Sequence, residues 1–298
     1  MDVNMTRVGK VVQFAIKEDV WTRDITSESV LDPAQEITAA ITAKQPGIVC
    51  GIQVVEKAFN LVDPNTRFKY MVKDGDRVEA GREIAFIEGN VLSVMRTERV
   101  ALNFLSYLSG VSTRTREFVD KVRGTKAKIY DTRKTMPLHR YMQKYAVRVG
   151  GGENHRWGLW DMVLIKDNHL RAYGIRKKTV NNESVIRGII KEARENVQRN
   201  IKIEIEVESL NEARYALHEA PDIIMLDNMQ PEEVRKAVKV RSEMGLEDRV
   251  KLEVSGGITV ANVREYAETG IDMISSGSLT ASISSMDYGM EIVMRDNQ

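Results

Sequence analysis

The second half of the chain alternates short apolar runs with longer segments of mixed polarity. Each apolar run ends in polar or glycine residues, a pattern typical of strands that lead into loops. The predicted strands are 126–130, 161–165, 202–207, 222–226, 251–254 and 272–275. Helical patterns at 185–199, 211–219, 231–244 and 260–269 separate most of them. This alternation predicts a parallel sheet, and six such strands favour an α/β fold of the incomplete (β/α) barrel, TIM-like type.

The third predicted strand alternates regularly between apolar and charged positions. Ile203, Ile205 and Val207 share one face, which fits contact with the outer helices of a barrel. Glu204 and Glu206 then point to the barrel interior. Because buried carboxylates need cations, the basic residues of the neighbouring loops or a metal ion are the expected partners.

The first part of the chain reads as α+β. A polar, Thr-rich segment covers 37–45, strand candidates follow at 47–55, 68–72 and 83–89, and a helical pattern runs from about Thr97 to Val122. A domain boundary near residue 112 follows from this change of pattern. The first domain is then 1–112 and the barrel is 113–278.

Composition narrows the class of protein. Lys plus Arg number 44 and Asp plus Glu 43, for a net charge of +1, which argues against a uniformly basic nucleic-acid binder. No apolar run approaches the ~20 residues of a membrane span, and the first residues lack the pattern of a signal peptide. Because Cys50 is the single cysteine of the sequence, an internal disulfide framework is excluded. We therefore expect a cytoplasmic protein.

Positive charge is concentrated between Asp131 and Lys166. The basic residues of this stretch outnumber its acidic ones, and three of the four histidines, His139, His155 and His169, lie in it or just beyond it. Such a concentration indicates an anion site, although a solvated basic face produces a similar composition.

Two glycine-containing loops follow the last two predicted strands. Ser255-Gly256-Gly257 precedes a helical pattern, and Ser276-Gly277-Ser278 repeats the arrangement one unit later. Glycines let a backbone approach phosphate closely, and a following helix offers free N–H groups. Either loop alone is more typical of an ordinary tight turn. The pair, on consecutive strands, favours a phosphate site.

Candidate cations also stand at strand ends. Arg133 and Lys134 follow the first barrel strand, His155 and Arg156 close a glycine run at 150–152, and Lys166 follows the second strand. Arginine offers a planar fork to carboxylates and phosphates, and lysine a compact charge. Lys166 fits a Schiff-base amine, a phosphate ligand or a structural partner of Asp167. His155 also fits a structural core histidine.

Two carboxylates end successive strands. Glu206 and Asp227 offer the oxygen ligands that Mg²⁺ prefers. An internal salt bridge to Arg133 or Lys166 explains them equally well. Both interpretations stay open at this point.

Taken together, these motifs closely resemble the quinolinate phosphoribosyltransferase family, also called carboxylating nicotinate-nucleotide pyrophosphorylase. The matching segments are 98–103, 108–110, 131–135, 144–147, 150–156, 164–169, 204–207, 226–228, 255–258 and 276–277. They cover nearly the whole chain in a consistent order.

The resemblance implies a pentosyltransferase of NAD biosynthesis. Such an enzyme transfers phosphoribose from phosphoribosyl pyrophosphate to quinolinate with Mg²⁺ and releases CO₂ and pyrophosphate as nicotinate mononucleotide forms. It implies an N-terminal α/β sandwich domain to which 279–298 return, followed by the incomplete barrel. It also implies a homodimer or hexamer with shared active sites and no nucleic-acid or membrane partner.

The resemblance also implies residue roles. The quinolinate carboxylates are expected to meet Arg99 of a second subunit together with Thr132, Arg133, His155 and Arg156. Lys134 and Lys166 are expected at phosphoribosyl pyrophosphate and, with Glu206 and Asp227, form the expected catalytic group. Glu206 and Asp227 are expected at the ribose hydroxyls and Mg²⁺. The 5′-phosphate is expected at Ser255, Gly256, Gly257, Ser276 and Gly277.

Two positions depart from the family pattern. Leu138 replaces a usual glycine in the loop beside Arg133 and Lys134, and Ala281 replaces a frequent histidine. The first change is expected to alter the loop, and the second to remove one phosphate contact.

Three other functions compete with this one. A related barrel transferase acting on another acceptor, such as the molybdenum-operon paralogues, generally lacks the sequence found at 165–169. A Schiff-base aldolase or decarboxylase using Lys166 needs no phosphoribosyl donor. A binding module without catalysis is disfavoured by the intact Arg133, Lys134 and Lys166.

Overall fold

The computed structural model describes residues 5–293 and divides the chain into two compact units. Unit 1 contains Met1–Arg116, Thr135–Gly151 and Leu279–Gln298, and unit 2 contains Glu117–Lys134 and Gly152–Ser278. The break at Arg116 lies close to the boundary expected at residue 112. The part of the segment 279–298 beyond residue 293 lies outside the described residues.

The secondary structure alternates in the order expected for an α/β protein. The strands are β1 Glu36–Ala43, β2 Gly47–Ile48, β3 Arg67–Tyr70, β4 Arg77–Val78, β5 Glu83–Asn90, β6 Lys128–Tyr130, β7 Val163–Ile165, β8 Ile203–Val207, β9 Ile223–Asp227, β10 Lys251–Ser255, β11 Met273–Ser275 and β12 Tyr288–Val293. The helices are α1 Met5–Val20, α2 Ile25–Val30, α3 Ile52–Val62, α4 Val91–Lys121, α5 Arg140–Val149, α6 Asp167–Lys177, α7 Asn182–Asn196, α8 Leu210–Glu219, α9 Pro231–Glu243, α10 Val263–Ala267 and α11 Ser278–Ala281. Within residues 5–293, no helix combines the length and apolar character needed to cross a membrane.

Unit 1 is built on a four-stranded antiparallel sheet with the order β12-β1-β5-β3. The central strand β1 places Ala39 between Ile87 of β5 and Ile292 of β12. The long helix α4 contributes a buried apolar face, and its Ser109 hydroxyl accepts from the backbone N–H of Cys50 at 2.9 Å and from the Tyr288 hydroxyl at 3.0 Å. Hydrogen bonds therefore tie the last strand to the first part of the chain.

The strand expected over 47–55 is largely wrong, because only Gly47–Ile48 is extended and helix α3 begins at Ile52. The buried residues Ile52, Val55 and Phe59 recur at helical spacing, a pattern that a short apolar run conceals. Asp74, which is remote in sequence, caps the N-terminus of α3. Its carboxylate accepts from the backbone N–H of Ile52 at 3.1 Å.

The segment 135–151 was expected in the barrel domain but belongs to unit 1. Its helix α5 buries Met142, Ala146 and Val147. The Ser112 hydroxyl of α4 donates to the Ala146 carbonyl at 2.8 Å, and the Gln143 amide donates to the Thr280 carbonyl at 2.8 Å. The buried face of α5 thus packs in the first unit although its sequence stands between two barrel strands.

Unit 2 holds a six-stranded parallel sheet with the order β6-β11-β10-β9-β8-β7. All six predicted strands are present, with bounds shifted by at most two residues. Beyond β6 an isolated parallel bridge joins Tyr130 to Glu153, which adds the segment 152–156 to that edge. Among the described residues no ladder joins β7 back to β6, as expected for an incomplete barrel.

The alternation expected along β8 is confirmed. Ile203, Ile205 and Val207 are buried on one face, and Glu204 on the other face is fully buried. Glu206 is only partly exposed. The interior of unit 2 therefore contains carboxylates whose partners determine the chemistry of the site.

A largely buried ion pair joins helix α9 to the residue before β11, and its loss should be costly. Arg241 of α9 is 1% exposed and donates to the Asp272 carboxylate, which also accepts from the Leu252 N–H at 2.9 Å. Asp272→Asn leaves that guanidinium without its counter-charge, so we expect the free energy of unfolding to fall by about 3 kcal/mol. Urea denaturation measures it, with the exposed Asp248→Asn as the control.

The same pair has a defined pH dependence. Burial alone would raise the pKa of Asp272, but hydrogen bonds from Leu252, Lys126 and Arg241 lower it overall. The stabilisation is present above the unfolded pKa of about 4 and is lost as the pH falls through the lower folded pKa. The difference between wild type and Asp272→Asn should therefore shrink below about pH 4. A constant difference would contradict this assignment.

Candidate active site

The predicted site residues separate cleanly between the two units. Arg99 is an exposed residue of α4 in unit 1. The remaining predicted residues belong to unit 2 and stand at or just beyond the ends of its strands, namely Thr132, Arg133, Lys134, His155, Arg156, Lys166, Glu206, Asp227, Ser255, Gly256, Gly257, Ser276 and Gly277. Because parallel strands end at one edge of their sheet, these residues converge there.

An ammonium and two carboxylates meet at the ends of β7, β8 and β9. Lys166 follows β7, and its Nζ donates to the Glu206 carboxylate. Asp227 ends the neighbouring strand, where burial and the negative charge of Glu206 raise its pKa while Lys166 opposes the shift. Of the structural partners considered from sequence, Lys166 and Glu206 form a pair.

Asn228 is a site residue that the sequence analysis missed. Its backbone is left-handed with φ 54°, and its amide donates to the Asp227 carboxylate at 2.7 Å. Its backbone N–H donates to the Ser255 carbonyl at 2.9 Å. Asn228 therefore fixes the Asp227 side chain and joins the ends of β9 and β10, and its position directly after Asp227 was the available signal.

The two glycine loops are packed against their neighbours. Gly256 has φ 89°, and a Cβ there would lie 2.2 Å from the Asn228 Oδ1. The buried Ser276 hydroxyl donates to the Ile258 carbonyl at 3.1 Å, which links the two loops. The Ser276 side chain is thus occupied within the protein.

Lys134 lies beside the second loop. Its backbone N–H donates to the Thr132 hydroxyl at 3.0 Å, and a Cβ on Gly277 would come 2.7 Å from Lys134 Cδ. The side chain of the exposed residue Lys134 therefore packs against the backbone of a candidate phosphate loop. The structure brings together the cation and the loop that the sequence placed more than a hundred residues apart.

The segment 152–156 is held to the end of β6 by Asp131. This carboxylate is fully buried and accepts from the Asn154 amide at 2.6 Å and from the His155 N–H at 2.9 Å. Asp131 directly follows β6, whereas Asp227 is the last residue of β9, and the Asp131 carboxylate holds the segment 152–156 in place. Sequence reasoning noted its position and assigned it no function.

His155 lies between two buried carboxylates. Its Nε2 is 3.0 Å from the Glu204 carboxylate and 3.3 Å from that of Glu253, and both glutamates are fully buried. Burial, followed by the nearby Glu253 charge, raises the pKa of Glu204 to about 7. The two carboxylates favour a proton on the Nε2 that faces them. Glu253 had escaped the sequence analysis.

Arg156 is a largely buried guanidinium close to another one. Its Nη1 donates to the Met162 carbonyl at 3.1 Å, and its residual exposure is 8%. Burial lowers the pKa of Arg156, the positive charge of Arg133 lowers it further, and Glu204 opposes both. Two guanidiniums held this close together form an arrangement suited to an anion.

The unusual Leu138 has a direct structural consequence. Its backbone has φ 65°, a left-handed conformation that favours glycine, and its side chain is 82% exposed. We expect Leu138→Gly to raise the free energy of unfolding by about 0.5–1 kcal/mol, because relief of strain exceeds the added chain entropy. Thermal denaturation measures this. Leu138→Ala keeps the strain and serves as the control; an equal gain in that variant would contradict the explanation.

The second departure, Ala281, is an exposed residue at the end of α11. It carries no charged or hydrogen-bonding side chain that could reach a phosphate. The structure describes no compensating contact made by its side chain.

Comparison with protein families gives two adjoining matches. Residues 24–109 match the model for the quinolinate phosphoribosyl transferase N-terminal domain, and residues 111–291 match that for the C-terminal domain. The boundary between the matches falls inside helix α4, a few residues before the boundary between the two compact units.

Curated relatives agree over nearly the whole length. A probable nicotinate-nucleotide pyrophosphorylase [carboxylating] of Methanocaldococcus jannaschii is 40% identical over 288 residues, which cover 95% of this chain and 96% of the relative. A nicotinate-nucleotide pyrophosphorylase [carboxylating] of Mycobacterium leprae is 36% identical, covering 94% and 95%. The solved nicotinate-nucleotide pyrophosphorylase of Francisella tularensis superimposes with a TM-score of 0.89 at 35% identity, covering 98% of each chain.

Proposed function

The chain belongs to the quinolinate phosphoribosyltransferase family, and on that premise we propose that it transfers phosphoribose from phosphoribosyl pyrophosphate to quinolinate. The products are nicotinate mononucleotide, CO₂ and pyrophosphate. The observation that carries this proposal is the convergence, in unit 2, of paired guanidiniums, a lysine–carboxylate group and two joined glycine loops. These are the features that a dicarboxylate and a phosphorylated sugar require.

The dicarboxylate is assigned to the arginines. Arg133 and Arg156 lie close enough for their charges to oppose each other, so an anion with two carboxylates relieves that repulsion. Thr132 offers a hydroxyl beside them. Arg99 is exposed on α4, and we assign it to the quinolinate of a second subunit. A homodimer, or a hexamer assembled from dimers, is therefore part of the proposal.

The phosphoribosyl donor is assigned to the lysines and the glycine loops. Lys134 lies against Gly277 and reaches the phosphates from that side. Lys166 approaches the pyrophosphate while it is held by Glu206. The 5′-phosphate is assigned to Ser255, Gly256 and Gly257, because glycine-rich loops generally offer backbone N–H groups to phosphates.

The carboxylates fit a magnesium ion bound with the donor. Burial and the charge of Glu206 raise the pKa of Asp227 although Lys166 lowers it, so the single ammonium does not fully offset the effect of the second carboxylate and of burial. Hard oxygen ligands of this kind suit Mg²⁺, which usually keeps several waters and substrate oxygens. When bound, the ion neutralises charge on the departing pyrophosphate.

We assign the steps of the reaction to different residues of the site. As pyrophosphate leaves C1 of the ribose, Glu206 and Asp227 stabilise the positive charge that develops at that carbon. The pyridine nitrogen of quinolinate forms the new bond to C1. The cationic ring accepts the electron pair of the 2-carboxylate bond as CO₂ departs, and a proton replaces it. Arg133 and Arg156 hold the ring during both steps.

The Schiff-base alternative meets a specific obstacle. Lys166 Nζ donates to the Glu206 carboxylate, and an ammonium in an ion pair is not the free amine that attacks a carbonyl. The alternative predicts a borohydride-trapped adduct on Lys166 without any phosphoribosyl donor. Our proposal predicts none.

Product analysis is the direct test. Purified protein, Mg²⁺ and phosphoribosyl pyrophosphate are incubated with quinolinate in one reaction and with nicotinate in another. We expect nicotinate mononucleotide and CO₂ from quinolinate only. Product from nicotinate would overturn the dicarboxylate selectivity, and no product from either would favour a barrel transferase with another acceptor.

The assignment of residues to the two substrates can be tested separately. Arg99→Ala should raise the KM for quinolinate by about tenfold or more, because one carboxylate loses a charge-assisted hydrogen bond. Lys134→Ala should mainly raise the KM for phosphoribosyl pyrophosphate. Steady-state kinetics with each substrate varied in turn distinguish the two. Equal changes for both substrates in both variants would contradict the assignment.

A further inference from the structure

His155 is attached to its surroundings through both ring nitrogens. Nε2 faces the Glu204 and Glu253 carboxylates, whereas Nδ1 accepts the backbone N–H of Arg156 at 2.8 Å. Neither nitrogen is therefore directed at a substrate. The resemblance to the family implied a substrate contact for His155, and the geometry points to a different role.

The two glutamates are unusual because they are completely enclosed. Glu204 and Glu253 come from β8 and β10, on either side of β9, and both have zero exposure. Beyond their approach to the imidazole, their four carboxylate oxygens accept no hydrogen bond from the described residues. Enclosing two carboxylates at one imidazole is costly, so a functional benefit is the natural explanation.

A metal ion is the first alternative, since one histidine and two glutamates have suitable donor atoms within 4.8 Å of one another. The hydrogen bond at Nδ1 argues against it. Because Nδ1 accepts a hydrogen bond from the backbone N–H of Arg156, its lone pair is in use and the ring proton lies on Nε2. A protonated Nε2, which lies 3.0 Å from the Glu204 carboxylate and 3.3 Å from that of Glu253, attracts both carboxylates and has no lone pair to offer a metal.

The consequence of this arrangement reaches Arg156. The His155 ring accepts from the backbone at which the Arg156 side chain begins, and Asp131 holds the preceding N–H. Glu204 also supplies the negative charge that opposes the repulsion between Arg156 and Arg133. The buried cluster thus fixes the backbone from which one guanidinium of the proposed dicarboxylate site extends.

We propose that Glu204 and Glu253 are positioning residues for quinolinate: they hold His155 through Nε2, and His155 in turn holds Arg156 for the substrate carboxylate. This inference rests on the proposed function and adds residues that touch no substrate. It predicts that the cluster affects affinity for quinolinate and leaves affinity for phosphoribosyl pyrophosphate largely intact.

The test uses two substitutions of one glutamate. Glu253→Leu removes the acceptor, and we expect the KM for quinolinate to rise by about tenfold to a hundredfold, as misplacement of a binding group by about 1 Å does. The KM for phosphoribosyl pyrophosphate should change by less than about threefold. Glu253→Gln keeps an acceptor oxygen for Nε2 and should restore most of the affinity. Calorimetric binding of quinolinate supplies a readout independent of turnover.

A matched control separates positioning from stability. Asp272→Asn disturbs another ion pair of unit 2, outside the site, and should lower stability without changing the KM for quinolinate. A parallel rise of both KM values in Glu253→Leu would overturn the inference, as would failure of Glu253→Gln to restore affinity. One equivalent of metal in purified wild-type protein, absent from Glu253→Leu, would overturn it as well. If wild type makes no product from quinolinate, the proposed function itself fails.

Discussion

Lys166→Met should lower kcat/KM by about 10²–10³-fold, the usual effect of removing a group that stabilises charge in the transition state. Lys166 donates to Glu206 and also counters the raised pKa of Asp227. Its removal takes a cation from the departing pyrophosphate and leaves the two carboxylates to repel each other. Steady-state kinetics with saturating Mg²⁺ measure the loss.

The same substitution has a second, independent signature. Because Lys166 lowers the pKa of Asp227, its removal should raise that pKa further and move the acidic limb of the residual activity to higher pH. Lys191→Met is the matched control, since Lys191 is an exposed lysine of α7 paired with Glu219 at 3.7 Å. It should change activity by less than about twofold. Retention of more than about a tenth of the activity in Lys166→Met would contradict the role assigned to it.

Gly256→Ala should be the most damaging substitution in the phosphate loops. The added Cβ would lie 2.2 Å from the Asn228 Oδ1 and 2.9 Å from its backbone N, and the glycine has φ 89°. Asn228 must therefore move, which disturbs both its bond to Asp227 and its bond to Ser255. We expect kcat/KM to fall by about 10²-fold, with the larger part of the change in the KM for phosphoribosyl pyrophosphate.

The neighbouring glycine provides the comparison. Gly257 is also left-handed, with φ 63°, but a Cβ there meets no atom within 4 Å. Gly257→Ala adds backbone strain of about 1–2 kcal/mol without displacing Asn228. Its effect on kcat/KM should therefore be at least about tenfold smaller than that of Gly256→Ala. Equal losses would show that strain, and not the displacement of Asn228, explains the result.

The barrel strands could be predicted because each is a short apolar run closed by polar residues. The same pattern placed Glu204 in the interior, since alternation along β8 leaves one face for the helices. The first unit was harder. Residues 47–55 form an apolar run without a visible period, and the carboxylate that begins α3, Asp74, lies well outside that window.

Two features of the site could not be read from local pattern. Helix α5 lies between two barrel strands in sequence, and an amphipathic helix does not reveal which sheet receives its buried face. The partners of Glu204 are also distant in sequence: His155 belongs to a segment without strand character, and Glu253 alternates with Leu252 and Val254 along β10 without indicating what it faces. Burial and hydrogen bonds identified them, because those depend on the folded arrangement.

The pairing of β12 with β1 has a consequence for biosynthesis. Residues 288–293 complete the sheet whose strand 36–43 leaves the ribosome first. The sheet of unit 1 therefore cannot be completed until residues 288–293 have been synthesised. The last strand of unit 2 ends at Ser275 and is therefore synthesised before β12. Although domains usually fold in the order of their synthesis, translation of this chain should complete the barrel first. Nascent β1 then exposes an unpaired edge for most of elongation, an edge of the kind that chaperones protect.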